Sequence, residues 1–82
     1  MEIRWTQAAR RHRIGRAHDL HVMSTVEGQP VTTDRADTGL LFVGPDDRGL
    51  ELEIVAAIVR PPDRDAFLLI IHVMPTDLRK QP

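Results

Sequence analysis

The chain contains no cysteine, which excludes disulfides and thiolate metal sites as sources of stability and suits a reducing cytoplasm. It has no tyrosine, and its aromatic residues are Trp5, Phe42 and Phe67, so there is little material for stacking nucleic-acid bases. Apolar runs are short. Phe67 to Ile71 falls far below the roughly 20 residues that span a bilayer. The segment from Met1 to Arg16 carries Trp5 and several arginines but lacks the apolar stretch of a signal peptide. A Gly-rich phosphate loop, a P-loop lysine and a serine-nucleophile signature are also missing. The expectation is a soluble, cytoplasmic protein without membrane contact or cofactor.

At 82 residues, residues 1–82 make one domain. A domain of this size buries roughly 60–65% of its unfolded surface. Without disulfides or metal to compensate, self-association into a homodimer is a reasonable expectation. The formal net charge of −1 hides an asymmetry. Arg4, Arg10, Arg11, Arg13 and Arg16 make the N-terminal segment basic, and acids gather later in Asp46, Asp47, Glu51, Glu53, Asp63 and Asp65. Such a basic segment can meet phosphate or an acidic partner. Its plain alternative is a solvated helix face.

The pattern along the chain predicts an α+β fold, with two N-terminal helices packed on a three- to four-stranded antiparallel sheet. Thr6 is a helix N-cap candidate, with a first helix over Gln7 to Arg13. Gly15 breaks it from a second helix over about Arg16 to Val26, where Leu20, Met23 and Val26 share one side. The alternative is one long helix that tolerates Gly15 at about 1 kcal/mol. Gly28 and Pro30 stop the helix. The stretch Glu27 to Gly39 reads as a loop, with room for a short edge strand at Val31 to Thr33. Leu40 to Val43 is a strand, followed by the turn formers Gly44 to Gly49, a second strand over Leu50 to Val59, a turn over Arg60 to Asp65, and a last strand over Phe67 to Met74. Thr76 caps a short C-terminal helix over Asp77 to Lys80.

A four-residue loop at Pro45 to Arg48 would set Val43 against Leu50 and Leu41 against Leu52, with these four beneath the helices. The second hairpin allows two registers. Pairing Val59 with Leu68 puts Val55 opposite His72 and places His72 on the face of Glu51 and Glu53. Pairing Ile58 with Leu68 puts His72 beside Ile54 under the helices. A slip of one residue exchanges the faces.

Several local strings resemble a known family. Arg4-Trp5-Thr6-Gln7-Ala8-Ala9, followed by Arg11-His12-Arg13-Ile14, is similar to the opening of BrnT-type toxins, a Trp-Asp-x-x-Lys-Ala-like stretch leading to a Lys-His-Gly-Val-like break. Val43-Gly44 with Asp47-Arg48-Gly49 resembles that family's first hairpin turn, and Ile70-Ile71-His72 resembles its last strand. The resemblance implies a RelE-like fold and the toxin half of a bacterial type II toxin–antitoxin pair. It further implies an mRNA endoribonuclease, ribosome-dependent or free, neutralised by an antitoxin protein. The chain departs from the family at Met74, where an arginine usually stands, and in its lack of net positive charge. Those departures leave a second reading open, a non-catalytic interaction module that dimerises or binds an antitoxin-like partner.

Metal-free RNA cleavage needs a base for the 2′-hydroxyl, a cation for the phosphorane and an acid for the leaving oxygen. Arginine suits the second role and histidine the first or third. Through the family's matching arginine, the resemblance implies Arg48, at a turn tip, as a catalytic candidate, joined by His72 within an apolar strand and Arg79 after the last strand. Their plain alternatives are a solvated arginine, a hydrogen-bonded core histidine and a frayed tail. His12, Arg13, Arg16 and Lys80 are candidates for holding RNA phosphates or the antitoxin. His18 and His21 share a helix face at metal-ligand spacing, but no third ligand is assigned. Glu51 and Glu53, with Asp46 and Asp47, read as a wet strand face rather than a cation site, and no metal is expected.

Overall fold

The computed structural model describes residues 1–33 and 38–80, the side chains of Arg79 and Lys80 excepted. The part of the expected loop at 34–37 lies outside the described residues.

The chain opens as a strand, β1 (Glu2–Trp5), whose alternation sends Ile3 and Trp5 toward the core and Glu2 and Arg4 the other way. A 3-10 turn follows at Ala8–Arg10, and then the helix α1 (Arg16–Thr25). Four further strands complete the fold: β2 (Gln29–Val31), β3 (Gly39–Pro45), β4 (Glu51–Val59) and β5 (Phe67–Pro75). A last 3-10 turn covers Thr76–Lys80. The strands form one sheet in the order β1-β5-β4-β3-β2. β1 runs parallel to β5, and every other pair is antiparallel. The chain thus starts at one edge, crosses one face as α1, and returns strand by strand to its starting point.

This architecture corrects the expected one. The described residues hold one α-helix and a five-stranded mixed sheet, not two helices on a three- to four-stranded antiparallel sheet of RelE-like design. The first helix is reduced to a 3-10 turn although Thr6 does act as expected, its Oγ1 accepting from the Ala9 amide at 3.1 Å. The helical path ends at Arg13, which takes the left-handed conformation with φ +57°. The segment ahead of Thr6, for which the pattern predicts no element, is an edge strand, because Glu2 to Trp5 pair with Phe67 to Ile70, residues remote in sequence. The edge strand at the other side is Gln29–Val31 rather than Val31 to Thr33. Proline at position 30 fits there, since an edge strand has one side on which no amide is needed.

One face of the sheet carries the core. Leu40, Phe42, Leu52, Ile54, Ala56, Leu68, Ile70 and Val73 meet Ala9, Val22, Met23 and Val26. The first hairpin pairs Gly44 with Leu52 and Phe42 with Ile54, so the expected register is off by an odd number of residues. Phe42 therefore lies under α1, while Val43 is turned outward and 42% exposed. Gly44 faces α1 where space is short: a Cβ there would stand within contact distance of the Val26 side chain. On α1 the buried stripe is Asp19, Val22, Met23 and Val26, and Leu20 is 40% exposed. Its spacing is helical, but it begins with an acid.

Since a left-handed L-residue costs roughly 1–2 kcal/mol, Arg13→Gly should hold stability constant or raise it by up to about 1 kcal/mol. Arg13→Val, with a branched Cβ at the same φ, should lower it by about 1 kcal/mol. Urea denaturation of the two variants checks both signs.

Candidate functional site

β4 and β5 do not keep one register. Val59 to Ala56 pair with Phe67 to Ile70, and Val55 to Leu52 pair with His72 to Pro75, with a shift between Val55 and Ala56. Ile71 is the extra residue of this bulge. Both registers allowed by the sequence are therefore realised, one on each side of the bulge. Ile70 stays in the core, and His72 emerges on the face away from α1, opposite Val55. There its Nε2–H donates to Glu53 Oε2 at 2.8 Å. The His72 side chain is 38% exposed and that of Glu53 only 6%. A shielded carboxylate that holds Nε2–H leaves Nδ1 as the basic nitrogen of the neutral ring. At the end of the same face Thr76 Oγ1–H donates to Glu51 Oε1 at 2.7 Å.

Arg48 sits in the β3–β4 turn and is already engaged. Its Nε and Nη2 donate to Asp46 Oδ2 at 3.0 and 2.6 Å. Asp46 Oδ1 accepts from the Arg48 and Leu50 amides at 2.8 and 3.0 Å. This carboxylate closes the turn, helped by Gly49 at φ +85°. Burial pushes the Asp46 carboxyl up, but the Arg48 guanidinium and the two amides outweigh it and bring it down to about 2. Along the strand, Arg48 precedes Glu51, and His72 lies opposite Val55. That is four residue rows beyond Glu51, about 13 Å at roughly 3.3 Å per residue. The fold does not bring Arg48 and His72 together.

The turn docks on the start of α1, where His18 Nδ1 and Asp47 Oδ1 form a hydrogen bond, and the His18 ring lowers the Asp47 carboxyl. His18, Asp46 and Asp47 bring three ligand-type atoms within 4.8 Å of one another. Both Asp46 oxygens are already taken by Arg48 and Leu50, so the cluster is satisfied as a turn anchor. His21 is not part of it: its carbonyl accepts from Ser24 and Thr25.

Sequence reasoning passed over Trp5 and Asp19. Trp5 Nε1–H donates to Asp19 Oδ2 at 2.9 Å and ties β1 to α1. Asp19 is 1% exposed, and its Oδ1 accepts no hydrogen bond from a described residue. Burial raises its carboxyl, against the Trp5 hydrogen bond and nearby His18, which lower it. The signal available beforehand was the i, i+3, i+4, i+7 stripe beginning at position 19. The Arg16 guanidinium lies 5.0 Å from the Trp5 ring centre, a cation–π distance. Arg10, Arg11, His12, Arg13 and Arg16 are all exposed ahead of or at the start of α1, leaving a basic strip open to solvent. Arg79 and Lys80 close the final 3-10 turn, and their side chains lie outside the described part.

Of the three buried acids, Asp19 and Asp46 give opposite pH responses. Asp19 is raised on folding, so its contribution is complete below the unfolded value of about 3.9 and falls as pH climbs through the folded value. Asp46 is lowered, so its contribution is complete above the unfolded value and is lost as pH drops toward about 2. In thermal melts across the acid range, Asp19→Asn should gain on the wild type as pH rises from about 4 to neutrality. Asp46→Asn should melt well below the wild type at neutral pH and converge with it near pH 2. Among the described residues no helix is long and apolar enough to cross a membrane. Comparison of the chain with protein-family models, curated proteins and solved structures returned no match.

Proposed function

We propose that this chain is the toxin-type half of a bacterial toxin–antitoxin pair, related to the BrnT-type toxins and acting on RNA in the cytoplasm, with His72 as its acid–base residue. The observation that carries the reading is the His72–Glu53 pair on the sheet face away from α1. A buried carboxylate orienting a half-exposed imidazole is an arrangement that general acid–base chemistry uses repeatedly. In this reading His72 Nδ1 takes the 2′-hydroxyl proton, the 2′-oxygen attacks phosphorus to form a 2′,3′-cyclic phosphate, and the departing 5′-oxygen takes its proton from solvent water. The exposed strip of Arg10, Arg11, His12, Arg13 and Arg16 supplies positive charge for phosphates or for an acidic antitoxin surface.

Local geometry adds support to the resemblance. Two of its strings lie side by side, with Trp5 opposite Ile70. The strings at Val43-Gly44 and Asp47-Arg48-Gly49 form the end of β3 and its turn. Arg13 occupies the place of the family's glycine, and φ there is +57°, a conformation glycine adopts freely.

A second reading is favoured by one specific observation: Arg48 is committed to Asp46, which removes the cation first assigned to the phosphorane. On the same face as His72, Val43 is 42% exposed, and Leu41, Val55, Val59 and Leu69 are only half-buried. A non-catalytic module would use this surface for an antitoxin-like partner or a second copy.

Induction of the chain alone in a bacterium should stop growth and shorten transcripts. His72→Gln should lower RNA cleavage by about 10²–10⁴-fold, the usual worth of a positioned acid–base group, with Glu53→Gln close behind. Normal growth with intact transcripts on induction of the folded wild type would leave the interaction module as the better reading. Light scattering at high concentration would then tell a self-associating chain from one that needs a partner.

A further inference from the structure

A second feature lies on the same sheet face as His72. β1 places Glu2 and Arg4 there, opposite Phe67 and Leu69. The Arg4 guanidinium stacks on the Phe67 ring at 4.2 Å, and its planar fork grips the Glu2 carboxylate through Nε at 2.6 Å and Nη2 at 3.1 Å. Next to this pair is a pocket of about 400 Å³ lined by Met1, Glu2, Arg4, Arg64, Asp65 and Ala66. Two arginines therefore border one concavity, and the Glu2 side chain, two residues away, fills the fork of Arg4. Bidentate binding of an oxyanion by the planar fork of an arginine stacked on an aromatic ring is a geometry with which proteins take carboxylate and phosphate. Here the occupant is internal. The Glu2 and Arg4 side chains are 58% and 41% exposed, so water and salt weaken the pair and an external oxyanion can compete for the fork.

The position of the pocket gives the oxyanion a context. Arg4 is level with Leu69 on β5, and with Ile71 bulged out His72 lies two residue rows further on, roughly 7 Å along the strand. Arg48 is engaged elsewhere, and among the described strand residues Arg4 is the arginine that the register places on the His72 face. Asp65 also shares the wall and works against any anion, which keeps the site weak until a polymer anchors it elsewhere.

We propose that Arg4 and Arg64 form a phosphate subsite for the nucleotide flanking the one at His72, with Glu2 as an internal stand-in that RNA displaces. The inference rests on the RNA-directed reading above, but it is tested by binding rather than cleavage. The probe is a short fluorescein-labelled 2′-O-methyl RNA, which has no free 2′-hydroxyl to attack, titrated by anisotropy at several salt concentrations. Glu2→Gln should tighten binding several-fold. Arg64→Gln and Arg4→Gln should each weaken it and reduce the slope of log K against log salt by about 0.7, the worth of one single-strand phosphate contact. Glu27→Gln, an equal charge change beyond the end of α1, should alter affinity much less than Glu2→Gln. Arg64 lies in the exposed β4–β5 turn, so its variant decides the matter if Arg4→Gln loses the fold along with its Phe67 contact.

Equal effects of Glu2→Gln and Glu27→Gln, an unchanged salt slope in Arg64→Gln, or no binding by either wild type or Glu2→Gln at low salt would each overturn the subsite. If the pocket variants respond as expected while His72→Gln still arrests growth, the acid–base role falls and the subsite stands.

Discussion

The bulge in β5 is the constraint on which the rest of the structure turns. Pairing of β4 with β5 has to satisfy two demands that one continuous register cannot meet. Near the β4–β5 turn, Ile70 must face inward to fill the core beside Ala56, Trp5 and Ala9. Toward the other end, Val73 must face inward beside Ile54. Residues 70 and 73 differ by an odd number, so strict alternation would put one of them on each side. Inserting Ile71 as an unpaired extra residue restores both. It also puts His72 on the opposite face, where Glu53 receives it. The candidate chemistry is a by-product of a packing requirement, because any residue at position 72 would be presented there.

The same packing explains why β1 belongs to the sheet. Once Leu68 and Ile70 point at the core, the outer edge of β5 offers amides and carbonyls to a neighbouring strand. Glu2 to Trp5 take that place with Ile3 and Trp5 on the core side, and the Thr6 amide extends the ladder to the Ile70 carbonyl at 3.0 Å. Trp5 then reaches α1 through Asp19. A buried acid is a poor source of stability, but this one connects the edge strand to the helix and so fixes the helix's rotation. That rotation leaves Leu20 outside and Met23 and Val26 over Phe42 and Gly44.

Much of this was legible in the sequence, and the failures share a cause. The helix from Arg16, the three central strands, the Gly49 turn and the Thr6 cap follow from local spacing and turn chemistry. What local spacing could not give was β1, whose partner is more than sixty residues away along the chain, and the odd register error in the first hairpin. The latter came from counting a four-residue loop where Asp46 instead holds a longer turn by accepting from two amides and from Arg48. Asp19 was missed because an acid in an apolar stripe reads as solvent-facing unless its partner, Trp5, is known. For the site, the sequence offered two places for His72 and the bulge supplied both registers. Arg48 was the less readable case, since a turn-tip arginine looks free when the carboxylate that holds it lies two residues back.

Charge on the sheet face away from α1 has a common design. Three cationic groups there or on its rim are each matched by an acid close in space: His72 by Glu53, Arg4 by Glu2, Arg48 by Asp46. These matches are not equivalent. The Asp46 side chain is out of contact with solvent and binds two amides as well as the guanidinium, so withdrawing Arg48 would strand a carboxylate and loosen the turn. Glu53 is shielded too, and its hold on Nε2 sets which imidazole nitrogen is basic. Glu2 is exposed and makes a local bond to a neighbour two residues on, so releasing Arg4 disturbs nothing else in the fold. On this face such matching leaves little uncompensated positive charge, and among these three the arginine of β1 is the one that the fold leaves free to exchange its partner.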